Sequence, residues 1–525
     1  MPNYLSPGVY VEEVDRGSKP IEGVGTAVAA FVGFTERAPA DDSDDPDGRR
    51  PRLVTNWAEF QKHYGGFAEG VLLPHAVYGY FNNGGGACYI CRIPHTSSSA
   101  RPRGALPSAT KAELETLQVE ALEPGATIEV VIEAGAESEE AQSPQFTMKV
   151  RSGGKEVESF ADLTVGKGKR AADTVVNAES KYVRVKVASA QGTTVADRIP
   201  AVGTYPLKVA QTAAIAVSGK DFEGAEAERT GISGLLIADE VTMVIAPDLV
   251  TAATKNGKFD LDLFKAVQTV MITHCELVGN RMAILDPPPG LNAQGVKEWR
   301  ADQAMYDSKY AVLYYPWIKV PNPLADAGAS NGDKTLAIPP SGHLAGIWAR
   351  NDTARGVWKA PANEVVRGAV DVATKVTKGE QDLLNPIGIN CIRPFGVRGI
   401  RVWGARTLSS DPAWRYVNVR RLFNFVEDSI LLGTQWVVFE PNDLDLWERV
   451  KRTINAFLLG LWRQGALFGA TPEEAFYVKC DAETNPPESV DEGKLVVEIG
   501  IAPVKPAEFV IFRISQWQGG AASVE

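Results

Sequence analysis

Apolar strand patterns and amphipathic helix patterns alternate through the middle of the chain, and this alternation limits the fold more than any other feature of the sequence. Apolar runs typical of buried strands lie at residues 241–246, 281–285 and 310–315. Helical patterns lie between and after them, at residues 261–275, 295–309 and 339–351. Alternating strands and helices predict a mixed sheet covered by helices, so we expect an α/β (α+β) multidomain fold.

The N-terminal hundred residues continue this pattern. Residues 26–34 predict a buried strand, and residues 57–64 predict a helix with Asn56 as its N-cap. A second helix is expected at residues 73–81, followed by a turn and a strand at residues 82–93. We therefore expect this part to belong to the same α/β body.

The composition changes after His95. Residues 96–110 form a linker rich in Ser, Pro and Ala, and the stretch that follows is rich in Glu, Ala, Val and Thr. Alternating runs at residues 127–133, 146–150 and 182–187 predict strands, and none of the 11 tryptophans lies between residues 105 and 224. We interpret residues 97–224 as a β-rich domain inserted into the α/β body.

A long amphipathic helix is predicted at residues 443–464. Its apolar side chains are Trp447, Val450, Ile454, Phe457, Leu458 and Leu461. Its opposite face carries Asp445, Glu448, Arg449, Arg452 and Arg463. Upstream, residues 414–433 predict a strand that leads into a helix.

Charge and hydropathy exclude several classes of partner. The formal net charge of −11 argues against a surface that binds a phosphate backbone, so we expect no nucleic-acid partner. No apolar run reaches the roughly 18 residues that a membrane helix needs, so we expect no membrane insertion. The start of the chain lacks the pattern of a signal peptide. Five scattered cysteines indicate reduced thiols and folding in the cytoplasm.

Candidate metal and phosphate sites are weak. Cys88, Cys91 and His95 resemble part of a zinc site, but a fourth ligand is missing because the next cysteine is Cys275. In the simpler interpretation, the two cysteines are buried as small apolar residues. Three glycines at residues 84–86 precede a strand, whereas a phosphate-binding loop follows a strand and opens a helix. We expect no metal and no cofactor.

A hydrolytic site is equally weak. Ser341, His343 and Asp352 have the right residue types, but they lie too close together in one predicted helix to act as nucleophile, base and orienting acid. Helix capping explains Ser341 better. We expect no enzymatic activity.

The two ends of the chain carry unusual apolar strand patterns. Leu495, Val497, Ile499 and Ile501 lie on one face of a predicted strand. The segment that follows is apolar on both faces, through Phe509, Val510, Ile511, Phe512 and Ile514. A loose segment of this kind would aggregate, so we expect an inner strand. Near the start, a second short strand is predicted at Val9, Tyr10, Val11 and Val14. Pairing within one subunit and donation to a neighbouring subunit both fit these patterns.

Several longer motifs distributed along the chain resemble one family. They include PGVYVEE at residues 7–13, NGGGACY at 83–89, SGHLAGIWARND at 341–352, GIRVWGART at 399–407, YVNVRR at 416–421 and FEPN at 439–442. In these motifs the chain resembles the contractile tail sheath proteins of phages and of extracellular contractile injection systems. The resemblance covers about residues 1–95 and 225–520.

This resemblance implies a structural subunit. Sheath subunits polymerise helically as stacked hexameric rings around an inner tube and contract without nucleotide hydrolysis. The resemblance implies terminal strand arms formed by Val9, Tyr10, Val11, Val14 and by Phe509 to Phe512 and Ile514. The receiving strand would carry Leu495, Val497, Ile499 and Ile501, and Asp445, Glu448, Arg449 and Arg452 would face the tube.

The same resemblance implies a division of the chain and a set of partners. We expect an N-terminal arm at 1–20, an α/β core domain at 21–96 and 225–380, a peripheral insertion at 97–224, an inner domain at 381–506 and a C-terminal arm at 507–525. The expected partners are further copies of the chain, the tube protein, baseplate proteins and cap or terminator proteins. Assembly is expected in the cytoplasm, within a phage tail or a tail-like particle. A static tail or baseplate component and a particle-associated enzyme are the alternatives.

Overall fold

The protein is described by a computed structural model. It describes residues 20–39, 45, 47–95, 102–111, 114–122, 128–135, 145–165, 168, 170–188, 196–207, 217–255, 257–325 and 334–514. The first elements are β1 (Ala29–Gly33), β2 (Arg52–Val54), α1 (Trp57–Tyr64), α2 (Leu73–Asn82) and β3 (Cys88–Arg92). No helix in the described ranges has the length and apolarity to cross a membrane.

The second group of elements forms two small sheets and one helix. The elements are β4 (Arg103–Pro107), β5 (Glu115–Ala121), β6 (Ile128–Ala134), β7 (Phe146–Ser152), β8 (Lys155–Leu163), α3 (Ala172–Glu179), β9 (Val183–Val187) and β10 (Gly203–Pro206). The sheet orders are β10-β6-β7-β8 and β4-β5-β9. Side chains from both sheets share one apolar core, which includes Leu117, Val130, Met148 and Val185.

The third group alternates strands and helices. It comprises α4 (Gly219–Glu223), β11 (Met243–Ile245), α5 (Leu249–Ala253), β12 (Thr254–Lys255), β13 (Lys258–Phe259), α6 (Leu261–Val278), β14 (Met282–Leu285), α7 (Ala293–Glu298), β15 (Ala311–Tyr315), β16 (Ile318–Pro321), β17 (Thr335–Ile338), α8 (Ser341–Arg355), β18 (Asp371–Val372), α9 (Lys378–Leu384), β19 (Ile389–Pro394) and β20 (Ile400–Val402). A π-helical turn, Trp299–Ala304, continues α7.

The last group is mainly helical. It comprises α10 (Val417–Gly433), α11 (Leu444–Arg463), α12 (Pro472–Ala475), β21 (Phe476–Lys479), α13 (Pro487–Asp491) and β22 (Glu498–Ile501). The apolar side chains of α10, α11 and the β21–β22 pair form a common core.

One eight-stranded sheet forms the centre of the α/β body. Its order is β2-β3-β1-β11-β14-β15-β19-β20. The six inner strands are parallel, and the two edge strands β2 and β20 are antiparallel. The inner strands are buried on both faces, as expected for a parallel sheet between helices. One face packs against α5, α6 and α7, and the other packs against α1, α2 and α8.

Most elements agree with the sequence patterns. The helix at residues 57–64 is confirmed, and the Asn56 side chain accepts a hydrogen bond from the Glu59 amide at 2.9 Å. The long helix is also confirmed as α11, capped by Asp443. The predicted helix at 295–309 is wrong in its end, because the π-helical turn stops at Ala304 and Met305 adopts a left-handed conformation.

One strand prediction is wrong, and one of the two pairings that fit the C-terminal segment does not occur. The strand expected before α10 is absent, since residues 412–414 form a 3-10 turn and only Tyr416 makes an isolated bridge, to Arg406. The described part of the C-terminal segment, 508–514, contains no strand. The described part of this segment does not pair with residues 495–501 of the same chain, where β22 pairs only with β21.

Candidate assembly surface

The C-terminal segment, defined here as residues 509–514, leaves its apolar side chains in solvent. Phe509, Val510, Ile511, Phe512 and Ile514 are 69 to 94% exposed. In an extended chain, successive side chains point to opposite faces. One face therefore carries Val510, Phe512 and Ile514, while the other carries Phe509, Ile511 and Arg513. Such a segment is incomplete in one isolated chain, because both of its faces lack a cover.

Glu508 fixes the base of this segment to the body. Its Oε1 accepts hydrogen bonds from Asn385 Nδ2 at 2.6 Å and from Arg406 Nε at 2.9 Å. Its Oε2 accepts from Arg406 Nη2 at 2.6 Å and from the Tyr416 hydroxyl at 3.1 Å. Burial alone would raise the pKa of Glu508, but the hydrogen bonds from Arg406 and Asn385 outweigh burial and hold this pKa below its usual value. Glu508 is therefore held as a carboxylate.

The predicted receiving strand is shorter in the structure than the sequence pattern. Leu495, Val497, Ile499 and Ile501 all pack against the C-terminal core, but the strand β22 begins at Glu498. The cause is Asn485, whose side chain bonds both the amide and the carbonyl of Val496, at 2.7 and 3.0 Å. Within the described ranges, β21 and β22 form a two-stranded sheet, so each keeps one unpaired edge.

The α11 helix presents a charged face beside its buried apolar stripe. Asp445, Glu448, Arg449 and Arg452 are all exposed. Arg449 forms an ion pair with Glu440 at 3.5 Å and lies over the Trp436 ring at 4.7 Å. Arg452 makes no ion pair with any residue in the described part of the chain. The charged face is therefore partly engaged by its own subunit at Arg449 and open at Arg452.

Two consecutive arginines join the C-terminal helices to the α/β body. Arg421 donates to both carboxylate oxygens of Asp352 on α8, at 2.9 and 2.5 Å, and to the Thr26 carbonyl. Arg420 donates to both oxygens of Glu427 at 3.0 Å, and its guanidinium lies 5.0 Å from the centroid of the Tyr310 ring. These contacts connect α10 to Thr26, to Tyr310 and to Asp352 on α8.

The residues weighed for zinc and for hydrolysis do not converge. Cys88 and Cys91 face opposite sides of the large sheet, so they cannot bind the same ion. Burial raises the pKa of both thiols. His343 packs on Gly79, where an added Cβ would lie 2.2 Å from the imidazole ring.

Ser341 and Asp352 serve structural contacts instead. The Ser341 hydroxyl donates to Asp286 at 2.5 Å, and Asp352 binds Arg421 as described above. Because Ser341, His343 and Asp352 each contact a different partner, they do not form a catalytic triad.

The crevice where α/β sheets hold ligands is filled by the protein itself. In open sheets of this kind, ligands bind at the carboxyl ends of the strands where the order reverses, here beside β1 and β11. Asp248 occupies this place and accepts hydrogen bonds from the amides of Phe34, Leu72 and Leu73 at 2.5 to 3.0 Å. Burial raises the pKa of Asp248 to about 7 against the effect of these amides. The helix N-terminus that could bind a phosphate is thus capped by an internal carboxyl group.

Sequence reasoning missed the polar residues that organise this surface. Glu508, Arg406, Asn385 and Asn485 act through contacts between residues that are 11 to 123 positions apart. The only local signal was an acidic residue at the start of an apolar run, and it did not predict the partners. The N-terminal arm residues Val9, Tyr10, Val11 and Val14 lie outside the described residues.

Two family models match the second half of the chain. Residues 240–408 match the phage tail sheath protein central domain, and residues 409–516 match the phage tail sheath C-terminal domain. The chain is 29% identical over 328 residues to a prophage major tail sheath protein of Pseudomonas aeruginosa (strain UCBPP-PA14), covering 61% of this chain and 78% of that protein. It is 25% identical over 318 residues to the tail sheath protein of Escherichia phage P2, covering 58% and 71%.

Solved structures share the fold. The contracted helical sheath of the anti-feeding prophage matches with a TM-score of 0.58 at 23% identity, covering 97% of this chain and 99% of that one. The contracted sheath complex of the extracellular contractile injection system PVC matches with a TM-score of 0.56 at 24% identity, covering 99% of both chains.

The α/β body described above is the fold of these solved sheath structures. The two family matches run without interruption over more than half of the 525-residue chain. The chain belongs to the phage tail sheath family.

Proposed function

We propose that this chain is the subunit of a contractile sheath in a phage-tail-like injection particle. It polymerises helically as stacked hexameric rings around an inner tube and shortens to drive the tube through a target envelope. The observation that carries the proposal is the exposed apolar C-terminal segment, which begins directly after the Glu508 anchor. Both its sequence and its position suit a strand that is completed by a neighbouring subunit.

Donation of this segment would stabilise the contact between subunits. Each new backbone hydrogen bond contributes about 0.5–1.5 kcal/mol, and each apolar side chain that becomes buried contributes about 1.5–3 kcal/mol. Ordering the backbone costs about 1–2 kcal/mol per residue, which the apolar side chains offset. The segment would add to an unpaired edge of the β21–β22 sheet, where Ile499 and Ile501 mark the receiving strand. The N-terminal residues Val9, Tyr10, Val11 and Val14 would form the second exchanged strand.

The tube contact is proposed on the charged face of α11. Asp445, Glu448, Arg449 and Arg452 are exposed while the apolar face of the helix is buried in its own core. Exposed ion pairs contribute only about 0.2–1 kcal/mol each, so many repeated contacts can hold the tube and still release it. Converting Arg449 and Arg452 to Glu would then leave the fold intact and give sheaths without tubes. Normal tube-filled particles from this double variant would exclude α11 as the contact.

The remaining parts of the proposal concern organisation and partners. Residues 97–224 form a peripheral insertion, residues 21–96 and 225–380 form the core domain, and residues 381–506 form the inner domain next to the tube. The terminal arms are residues 1–20 and 507–525. The partners are other copies of the chain, the tube, the baseplate and a cap or terminator protein. The particle assembles in the cytoplasm, and its contraction requires no nucleotide hydrolysis.

Co-expression with the tube protein tests the proposal. Long hollow cylinders, seen by negative-stain electron microscopy, are expected from the full chain but not from a chain truncated after Glu508. Phe512→Asp should also prevent assembly, because it charges the fully apolar face of the segment. Arg513→Ser is the matched control, since that face already carries a charge. Cylinders formed by the truncated chain would refute strand donation, and closed small oligomers of the full chain would refute the sheath function.

A further inference from the structure

We infer that the ion pair between Glu508 and Arg406 sets the direction of the C-terminal segment and prevents it from pairing with its own β22 strand. This inference rests on the proposed strand donation. Within the described ranges, the Glu508 side chain makes every hydrogen bond that joins residues 505–514 to the body. Val504 is itself fixed by the Ala466 carbonyl and by the Asn418 side chain, so Glu508 is the last hydrogen-bonded residue before the apolar side chains.

Arg406, the main partner of Glu508, is itself held in place by buried hydrogen bonds. The fully buried Asn390 side chain accepts from the Arg406 amide at 2.7 Å and donates to the Arg406 carbonyl at 2.8 Å. The side-chain amide of Asn390 also donates to the Leu313 carbonyl on β15 at 3.1 Å. Through Asn390, the Arg406 backbone is fixed to the neighbouring strands β19 and β15 of the large sheet. The position from which the guanidinium extends is therefore well defined.

The contact is specific for a carboxylate. Arg406 reaches both oxygens of Glu508 through Nε and Nη2, an arrangement that a planar guanidinium makes and an ammonium group does not. The two side chains are only 11 and 19% exposed, so water screens their attraction weakly. Asn385 and Tyr416 add donors from two further directions. Each carboxylate oxygen of Glu508 therefore accepts two hydrogen bonds, and these fix the orientation of the side chain.

The geometry opposes closure of the segment on its own subunit. A hairpin with β22 requires residues just after Ile501 to turn back and lie beside that strand. The anchor instead holds residue 508 against the Asn385 loop and Arg406, on the central part of the body. Pro503 and Pro506 between β22 and Glu508 have no amide hydrogen to donate to a ladder. The apolar side chains beyond Glu508 are consequently kept available for another copy.

Four variants separate the anchor from general stability. Glu508→Gln removes the charge with little change of shape, and Arg406→Lys keeps the charge but loses the planar fork. Glu492→Gln is the control, because it makes the same change in an exposed ion pair. The side chains of Glu492 and its partner Lys494 are 61 and 66% exposed. Exchanging the partners, Arg406→Glu with Glu508→Arg, tests restoration. Thermal unfolding of each monomer checks the fold, and Arg406→Lys carries the test if Glu508→Gln does not fold.

The direction of the segment is measured in the monomer by electron–electron double resonance. Spin labels are placed at the exposed positions Arg513→Cys and Lys375→Cys, and selective labelling is feasible because all five native cysteines are buried. The parent and Glu492→Gln should give a single distance distribution, whose width reflects only residues 509–513, which link the label to the fixed Glu508. Glu508→Gln and Arg406→Lys should broaden it at least twofold, and the exchanged pair should narrow it again.

Assembly with the tube protein provides the second readout. Glu508→Gln should reduce the yield of sheaths at least tenfold, with recovery in the exchanged pair and no loss in Glu492→Gln. Unchanged assembly, or lost assembly with an unchanged distance distribution, overturns the anchor. If the chain truncated after Glu508 also assembles, the proposed strand donation fails. If only that truncated chain fails to assemble, donation stands and the anchor alone is refuted.

Discussion

Replacing Asp352 with Asn should destabilise the joint between the C-terminal helices and the α/β body. The Asp352 and Arg421 side chains are only 5 and 4% exposed, and two hydrogen bonds of 2.9 and 2.5 Å connect them. The Thr26 hydroxyl also donates to Asp352 at 2.6 Å. The substitution keeps the shape of the side chain but leaves the Arg421 charge buried without a counter-charge.

The magnitude follows from this burial. Removing one partner of a buried ion pair costs about 3–5 kcal/mol, and we expect the lower end because Arg421 keeps the Thr26 carbonyl and the Trp348 ring. The control is Glu448→Gln, which breaks an exposed pair with Lys451 on α11 and should cost less than about 1 kcal/mol.

Urea unfolding followed by tryptophan fluorescence measures both changes. Because no tryptophan lies between residues 105 and 224, the signal reports the body and not the insertion. The slope of the transition should be unchanged while its midpoint falls for Asp352→Asn. Equal midpoints for Asp352→Asn and Glu448→Gln would refute the view that this ion pair holds the two parts together.

Three further predictions concern packing, pH and the insertion. Gly79→Ala should lower the free energy of unfolding by about 1–3 kcal/mol, because its Cβ would lie 2.2 Å from the His343 ring. Gly460→Ala, where a Cβ would meet nothing within 4 Å, should raise this free energy by about 0.5–1 kcal/mol. Urea unfolding that gives changes of the same sign for both would contradict this packing. Burial lowers the pKa of His343 to about 4, so the unfolded chain binds a proton at higher pH than the folded chain does. The His343 contribution is therefore constant above the unfolded pKa of about 6.5 and is lost as pH falls towards 4. His343→Gln should lose less stability than the parent between pH 7.5 and 5, and an equal loss would refute this. Replacing residues 105–224 with a Gly/Ser linker should still give sheaths by electron microscopy, and a folded variant that does not assemble would contradict a peripheral insertion.

Local patterns predicted most of the body. The Asn56 and Asp443 caps and the stripe of α11 are encoded within a few neighbouring residues, so the sequence alone identifies these helices. The alternation of strands and helices likewise identified the sheet, because buried parallel strands are short apolar runs. Tyr416 shows the limit of this approach. It precedes α10 in an extended conformation and pairs only through an isolated bridge with Arg406, which is too short to make a strand.

The assembly surface was less accessible to sequence reasoning. The apolar pattern of residues 509–514 identified a strand-forming segment, but pairing depends on an edge that the pattern does not contain. Asn485 shortens the receiving strand through backbone contacts 11 residues away. Glu508 meets Arg406 across 102 residues. Such contacts arise only from the tertiary structure, and no local periodicity marks them.

Hydrogen–deuterium exchange of the unmodified chain can detect strand donation without any substitution. In the monomer, the backbone amides of residues 509–514 donate no hydrogen bond to the described part of the chain, so they should exchange at nearly the rate of an unstructured peptide. In assembled sheaths, a donated strand would protect alternate amides of this segment by about a hundredfold or more, since exchange then requires opening of the paired strand. Strand donation predicts this gain of protection on assembly. Exchange in assembled sheaths that remains as fast as in the monomer would contradict it.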